Sequence, residues 1–173
     1  LVSAVLAGVV NNYREGLASG LTLRWIGEVW SGYGNTVWAS LIVASLSVVA
    51  AVLLGVPCAY ALARSRSKLA AAFEEILTLP IAVPGLATAL ALLLTYGSLQ
   101  GFRQSYAIIV VGHVLFTLPF MVRTVSAAFQ RPDLREIEEA ARTRGAGFAR
   151  RFLNILVQAV MPSIVAGALM VFT

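Results

Sequence analysis

An all-α bundle of membrane-crossing helices is the fold class this sequence predicts, and three observations predict it. The chain of 173 residues is 59% hydrophobic, with a mean hydropathy of +0.84. Charged residues make up 12%, about half the share of an ordinary soluble domain and too few to coat a soluble globule of this size. The charges are also clumped, so that 36–63, 76–101, 104–122 and 152–173 carry none. A helix crosses a hydrocarbon core about 30 Å thick with roughly 20 apolar residues, and each interval has that length or falls short by a residue or two. Backbone amides in lipid must be paired within the segment, which makes these segments helices. The ten-residue alternation of a membrane β-barrel is not visible.

The elements follow in chain order. Residues 1–10 are apolar but too short to span, and read as the outer end of a severed transmembrane helix. Residues 11–35 read as an outer, periplasmic loop. Trp25, Trp30, Tyr33 and Trp38 cluster towards its end, where amphipathic rings favour a membrane interface. Spans are expected near 36–63, 76–99, 105–122 and 152–173, with a charged loop at 123–151. The chain begins at Leu1 and stops at Thr173 inside an apolar run, so it reads as a fragment of a larger multi-pass protein lacking both ends.

Basic residues orient the bundle. Arg64, Arg66 and Lys68 lie between the first two full spans, and seven arginines lie between Arg123 and Arg151. The opposite side holds Arg14, Arg24 and Arg103. The excess of Lys and Arg places the first two groups in the cytoplasm. Moving the six arginines from Arg131 to Arg151 to the bilayer centre would cost roughly 15–20 kcal/mol, so their loop stays in water. The net charge of +5 is thus explained by membrane borders, and no nucleic-acid partner is expected. The single cysteine, Cys58, excludes a disulfide framework and a cysteine-rich metal site.

No carboxylate interrupts the four intervals, although proton- and sodium-coupled carriers often use one within the membrane. An ion-coupled carrier or channel fragment is the reading from a different class, and needs a carboxylate or an inverted repeat outside this chain. No GxxxxGK[ST] loop is present, since the one lysine, Lys68, follows Ser67. Uphill transport would therefore draw on another chain. The first full span carries small residues at Ser47, Ala51, Gly55, Ala59 and Ala63, a stripe that lets a second backbone approach closely. The last span repeats it at Ala159, Ser163 and Gly167. Pro80 and Pro84 each lack an N–H and free the carbonyl four residues back. They are either a hinge beside a solute path or a static kink. His113 and Thr117 share a face four residues apart, with Pro119 just beyond. His113 is a candidate pathway residue as an ionisable group inside the membrane, or a neutral imidazole bonded to a neighbouring carbonyl.

The loop at 123–151 holds the most informative stretch. Asp133 follows Pro132 and precedes Glu136 by three, a helix-start signature with Asp133 as cap. Arg135–Glu139 and Glu138–Arg142 are opposite charges four apart. Leu134, Ile137 and Ala141 form a narrow apolar edge, and Gly145 supplies a left-handed stop. The result is a short two-faced helix outside the bilayer, tethered at both ends to spans. It either docks into a soluble partner or lies on the lipid surface, held by its arginines.

Glu139-Ala140-Ala141-Arg142-Thr143-Arg144-Gly145, followed by Ile155 and a span, resembles the EAA loop of binding-protein-dependent ABC importer permeases. The preceding run from Thr117 to Val125 and the later Pro162 match as well, and the likeness covers 36–173. Gln158 stands where the family pattern Ile-x-Leu-Pro has proline, and Pro162 is placed to supply the bend. The resemblance implies a type I permease fold and a subunit that is not itself an enzyme, with no catalytic residue and no metal site. Glu138, Glu139, Ala140, Ala141 and Gly145 would couple it to a cytoplasmic ABC ATPase dimer, which binds the ATP and Mg. A second permease subunit, identical or homologous, a periplasmic solute-binding protein and the lipid membrane would be the other partners, and the bacterial inner membrane the location. From Trp25 through the motif the chain looks most similar to permeases for 2-aminoethylphosphonate, with polyamine, ferric-iron and thiamine permeases nearly as similar.

Overall fold

The computed structural model describes residues 8–12, 14–65 and 67–173. The described residues are helical throughout except for short connections and one isolated antiparallel bridge, Val10 to Leu21. The expectation for 1–7, and the basic residue Arg66, lie outside the described residues. The chain divides into two units, 1–42 and 43–173.

Within the first unit, Val10 and Leu21 close a short turn around a 3-10 segment, Gly16–Ser19. The indole of Trp25 donates to the Val10 carbonyl at 3.0 Å. Helix α1, Arg24–Arg64, begins here and continues into the second unit. It thus starts well before residue 36, inside the stretch expected to be a loop. Gly27, Gly32 and Gly34 lower helix propensity there. No proline interrupts the stretch, however, and Arg24 pairs with Glu28 four residues on at 2.6 Å.

In the second unit α1 is followed by α2, Lys68–Ala82, and α3, Gly85–Tyr96. Then come the single turn α4, Gln100–Arg103, and the long α5, Ala107–Phe129. Helix α6 is Pro132–Thr143, α7 is Phe148–Ala159 and α8 is Met161–Phe172. Helices α1 and α5 are each long and apolar enough to cross a membrane, and α2–α3 and α7–α8 pass the same test only as bent pairs.

The α2–α3 pair turns by 98°, far more than a proline kink within one helix. Pro80 lies in the last turn of α2 and Pro84 caps α3. The Pro80 carbonyl accepts from the Val83 N–H at 3.3 Å instead of continuing the helix. The α7–α8 pair bends by 71°. A π-helical turn occupies Phe152–Leu156, and Val160 leaves helical geometry just before Pro162 opens α8. With Gln158 in place of proline, the sharp turn sits next to Pro162.

The core joins α1, α5, α7 and α8. Ala51, Val56 and Ala59 of α1 face Met121, Val125 and Phe129 of α5, with Leu156, Val160, Ile164 and Val171 closing the other side. The small-residue stripe of α1 is buried at all five positions, Ser47, Ala51, Gly55, Ala59 and Ala63. A Cβ on Gly55 would come within 2.7 Å of Met121 Cγ, and one on Gly167 within 2.8 Å of its sulfur. Met121 therefore fills the space left by two glycines on opposite helices. The stripe expected on the last span is only partly used, because Ala159 is exposed while Val160, Ile164 and Gly167 face the core. The break at Val160 changes the helical register between Ala159 and Ser163.

Candidate functional site

Helix α6 starts with Pro132 at its first position, where a missing N–H costs nothing. Asp133 is not the cap expected from the sequence. It lies in the first turn, where the helix dipole favours an acid, and Arg131 holds it through two nitrogens at 2.6 and 3.2 Å. The other end is as the sequence dictates. Gly145 has φ +79°, its N–H reaches the Arg142 carbonyl at 3.0 Å and the Ala146 N–H reaches Ala141 at 3.1 Å. That pair of bonds is the Schellman stop, which needs a left-handed residue at that position.

The expected pairs Arg135–Glu139 and Glu138–Arg142 do not form among the described residues. Partners on other helices replace two of these contacts. Arg135 donates to the Ala63 carbonyl at 3.2 Å. Glu138 accepts from the Tyr60 hydroxyl at 2.5 Å and from Arg64 Nε at 2.9 Å, with a second Arg64 nitrogen at 2.7 Å. A half-buried pair is screened less than an exposed one and holds more firmly. Glu138, grouped by sequence with the partner-facing residues, is therefore engaged inside the chain. Sequence reasoning missed Tyr60 altogether and counted Arg64 only for its charge. The one signal available was an arginine ending a span, placed where it could meet an acid at a membrane border.

Glu139 and Ala140 are exposed, Ala141 is half-buried and Gly145 is exposed. The apolar edge splits, with Leu134 buried in the core and Ile137 exposed. Ile137 lines an open groove of about 480 Å³ together with Ala140, Ala141, Arg144, Arg150 and Ile155. This surface is a mixed one. It offers small and apolar atoms for contact, arginines at the rim and a carboxylate on the adjoining turn.

The residues expected near a path do not gather at one place. His113 Nε2 donates to the Val171 carbonyl at 2.6 Å and so ties α5 to α8. Thr117 turns its hydroxyl back to the His113 carbonyl at 2.8 Å, and Pro119 is buried in the core. His113 also borders a largely apolar cavity of about 310 Å³, with Gly85, Thr88 and Phe116. That brings it near the start of α3, next to Pro84, whereas Pro80 lies at the far side of the break.

Residues 51–173 match the family described as binding-protein-dependent transport system inner membrane component. Among similar proteins is the molybdate/tungstate transport system permease protein WtpB of Thermococcus kodakarensis. It is 33% identical over 131 residues, which is 76% of this chain and 52% of that protein. The putrescine transport system permease protein PotI of Escherichia coli K12 is 31% identical over 163 residues, 90% of this chain and 58% of its own length. The molybdenum transport system permease protein ModB of Azotobacter vinelandii is 30% identical over 145 residues, 77% of this chain and 64% of its own. The chain thus spans between about half and two thirds of the length of these relatives. Because the match takes in the Met121 core, both bent spans and α6 together, the chain belongs to the family of inner membrane components of binding-protein-dependent transport systems and has the type I ABC importer permease fold.

Proposed function

We propose that this chain is the coupling part of a permease subunit in an ATP-driven importer, and that α6 is the helix gripped by the ATPase. The observation that carries the reading is the division of α6 into two faces. One face is tied to α1 through Glu138 and Arg135. The other presents Glu139 and Ala140 beside an open groove, and ends in a left-handed glycine. A helix lying on lipid would turn its apolar side to the membrane, whereas the apolar Leu134 of α6 is spent on the core. In this reading 123–151 is cytoplasmic and 11–35 periplasmic. Glu139 meets basic groups of a cytoplasmic ABC ATPase dimer that binds ATP and Mg. A second permease subunit, identical or homologous, completes the path, and a periplasmic binding protein delivers the solute. The 98° break at Pro80 and Pro84 lies where a broken membrane helix can border that path.

The solute reading remains 2-aminoethylphosphonate, carried by the resemblance from Trp25 through the motif. Relatives named for putrescine and for molybdate or tungstate support the importer class and make a polyamine or an oxyanion the competing solutes. Ferric iron and thiamine are the remaining alternatives.

Glu139→Lys tests the coupling role. The full-length protein carrying it should still insert in the membrane but should no longer co-purify with its ATPase, and uptake should be lost. Wild-type co-purification and uptake in this variant would sink the assignment. Growth on 2-aminoethylphosphonate as sole phosphorus source, lost on deletion and restored by the gene, tests the solute.

A further inference from the structure

Tyr60 and Arg64 form a joint beneath α6 that its ends alone do not provide. Arg64 reaches two other helices and packs on its own. Its Nε and one terminal nitrogen hold Glu138 of α6, the other terminal nitrogen donates to the Phe129 carbonyl at 2.8 Å, and its guanidinium lies 5.5 Å from the Tyr60 ring centre. The Phe129 carbonyl ends α5, so this contact also satisfies one of the carbonyls a helix leaves without a partner. Tyr60 stands edge-on to Phe129 at 5.5 Å and to Phe152 at 5.2 Å, and sends its hydroxyl to Glu138. Both carboxylate oxygens of Glu138 are thus engaged within the chain. The side chains of Arg64 and Glu138 are only 20% and 15% exposed. Among the described residues Glu139, one position on, makes no such bond and faces outward.

We propose that Arg64 and Tyr60 are positioning residues for energy coupling: by holding Glu138 they make α1 move with α6. This rests on reading α6 as the docking helix, and it adds the route by which a push on that helix reaches the first full span. Apart from the joint, α6 meets the bundle through Leu134, the Arg135–Ala63 bond, its packing against the start of α7 and its flanking turns. The bridge suits this purpose because breaking it on one side costs more than breaking an exposed pair. Removing one partner leaves the other charge half-buried and unpaired. The guanidinium fork is also directional, so a lysine would keep the charge but not the geometry.

The test uses the full-length protein purified with its ATPase and reconstituted in liposomes. A bimane fluorophore on Ser45→Cys in a Cys58→Ser background reports the environment of α1, because Ser45 is exposed on that helix. In the parent, trapping the ATPase with ATP and vanadate should shift the bimane emission. In Glu138→Gln and in Arg64→Lys the ATPase should remain bound and hydrolyse ATP, while most of the bimane shift is lost. Tyr60→Phe keeps the ring packing and removes only the hydroxyl, so it should give an intermediate response even if a charge variant folds poorly. An unchanged response in all three variants overturns the proposal. So does loss of the ATPase from Glu138→Gln, which would mean that Glu138 serves docking directly. Glu139→Lys run alongside separates the two ideas. If that variant keeps its ATPase, the docking reading fails, whatever the bimane reports at Arg64 and Glu138.

Discussion

Gly145 ties a residue type to a backbone shape more directly than any other position in the chain. A helix of strong formers followed by a glycine predicts a left-handed stop, and the backbone adopts φ +79° there with both expected hydrogen bonds. A Cβ at this position would meet nothing within 4 Å, so the cost of a larger residue is confined to the backbone. Gly145→Ala should destabilise the turn by about 1–2 kcal/mol. Amide exchange over 142–146 should rise about tenfold, since local opening follows local stability. Gly145→Asn should lie between the two, because asparagine tolerates the left-handed region. Exchange in the alanine variant as slow as in the parent would mean that the turn does not depend on glycine. Glu138 shows the opposite case. Its charge and its spacing to Arg142 are plain in the sequence, yet its real partners are 78 and 74 positions away. Spacing along a helix ranks local pairs, and it cannot see a better partner brought in by folding.

At the scale of elements, the small-residue stripe of α1 is legible in the sequence because four-residue spacing marks a face whatever packs on it. The partner is not legible. Met121 fills the gap between Gly55 and Gly167, and nothing in the local pattern around Met121 says so. The second stripe fails for a physical reason. It assumes one continuous helix, whereas a π turn and the break at Val160 interrupt the register. The prolines are similarly half-informative, since a missing N–H tells where a helix bond is lost but not through what angle the chain then turns. The Met121 junction makes a quantitative demand. Gly55→Ala places its Cβ against Met121 Cγ at 2.7 Å, and such overpacking costs about 1–3 kcal/mol. In a Met121→Ala background the same change should cost much less, because the crowding atom is gone. Unfolding in detergent, followed for the parent and the three variants of this cycle, measures the coupling. Equal costs in both backgrounds would show that the junction has room to relax.

For the whole molecule, charge distribution is the argument for which way the bundle faces, and the coupling reading depends on it. Ten basic residues lie in the two loops assigned to the cytoplasm, against Arg14, Arg24 and Arg103 on the other side. Inverting the bundle would send seven arginines of the 123–151 loop across the membrane, against the bias that orients multi-pass proteins. The aromatic residues near the start of α1 fit the same orientation, with Trp30, Tyr33 and Trp38 exposed where the chain would meet an outer interface. Two exposed positions test it directly. In a Cys58→Ser background, Tyr33→Cys should react with a membrane-impermeant maleimide in spheroplasts. Thr143→Cys, on α6, should react only after the membrane is opened. If α6 is the docking helix as proposed, the Thr143 site, one turn from Glu139, should also become protected when the ATPase is bound. Labelling of Thr143→Cys in sealed spheroplasts would put α6 outside the cell, where no nucleotide-hydrolysing partner could reach it, and the importer mechanism argued for this chain would lose its source of energy.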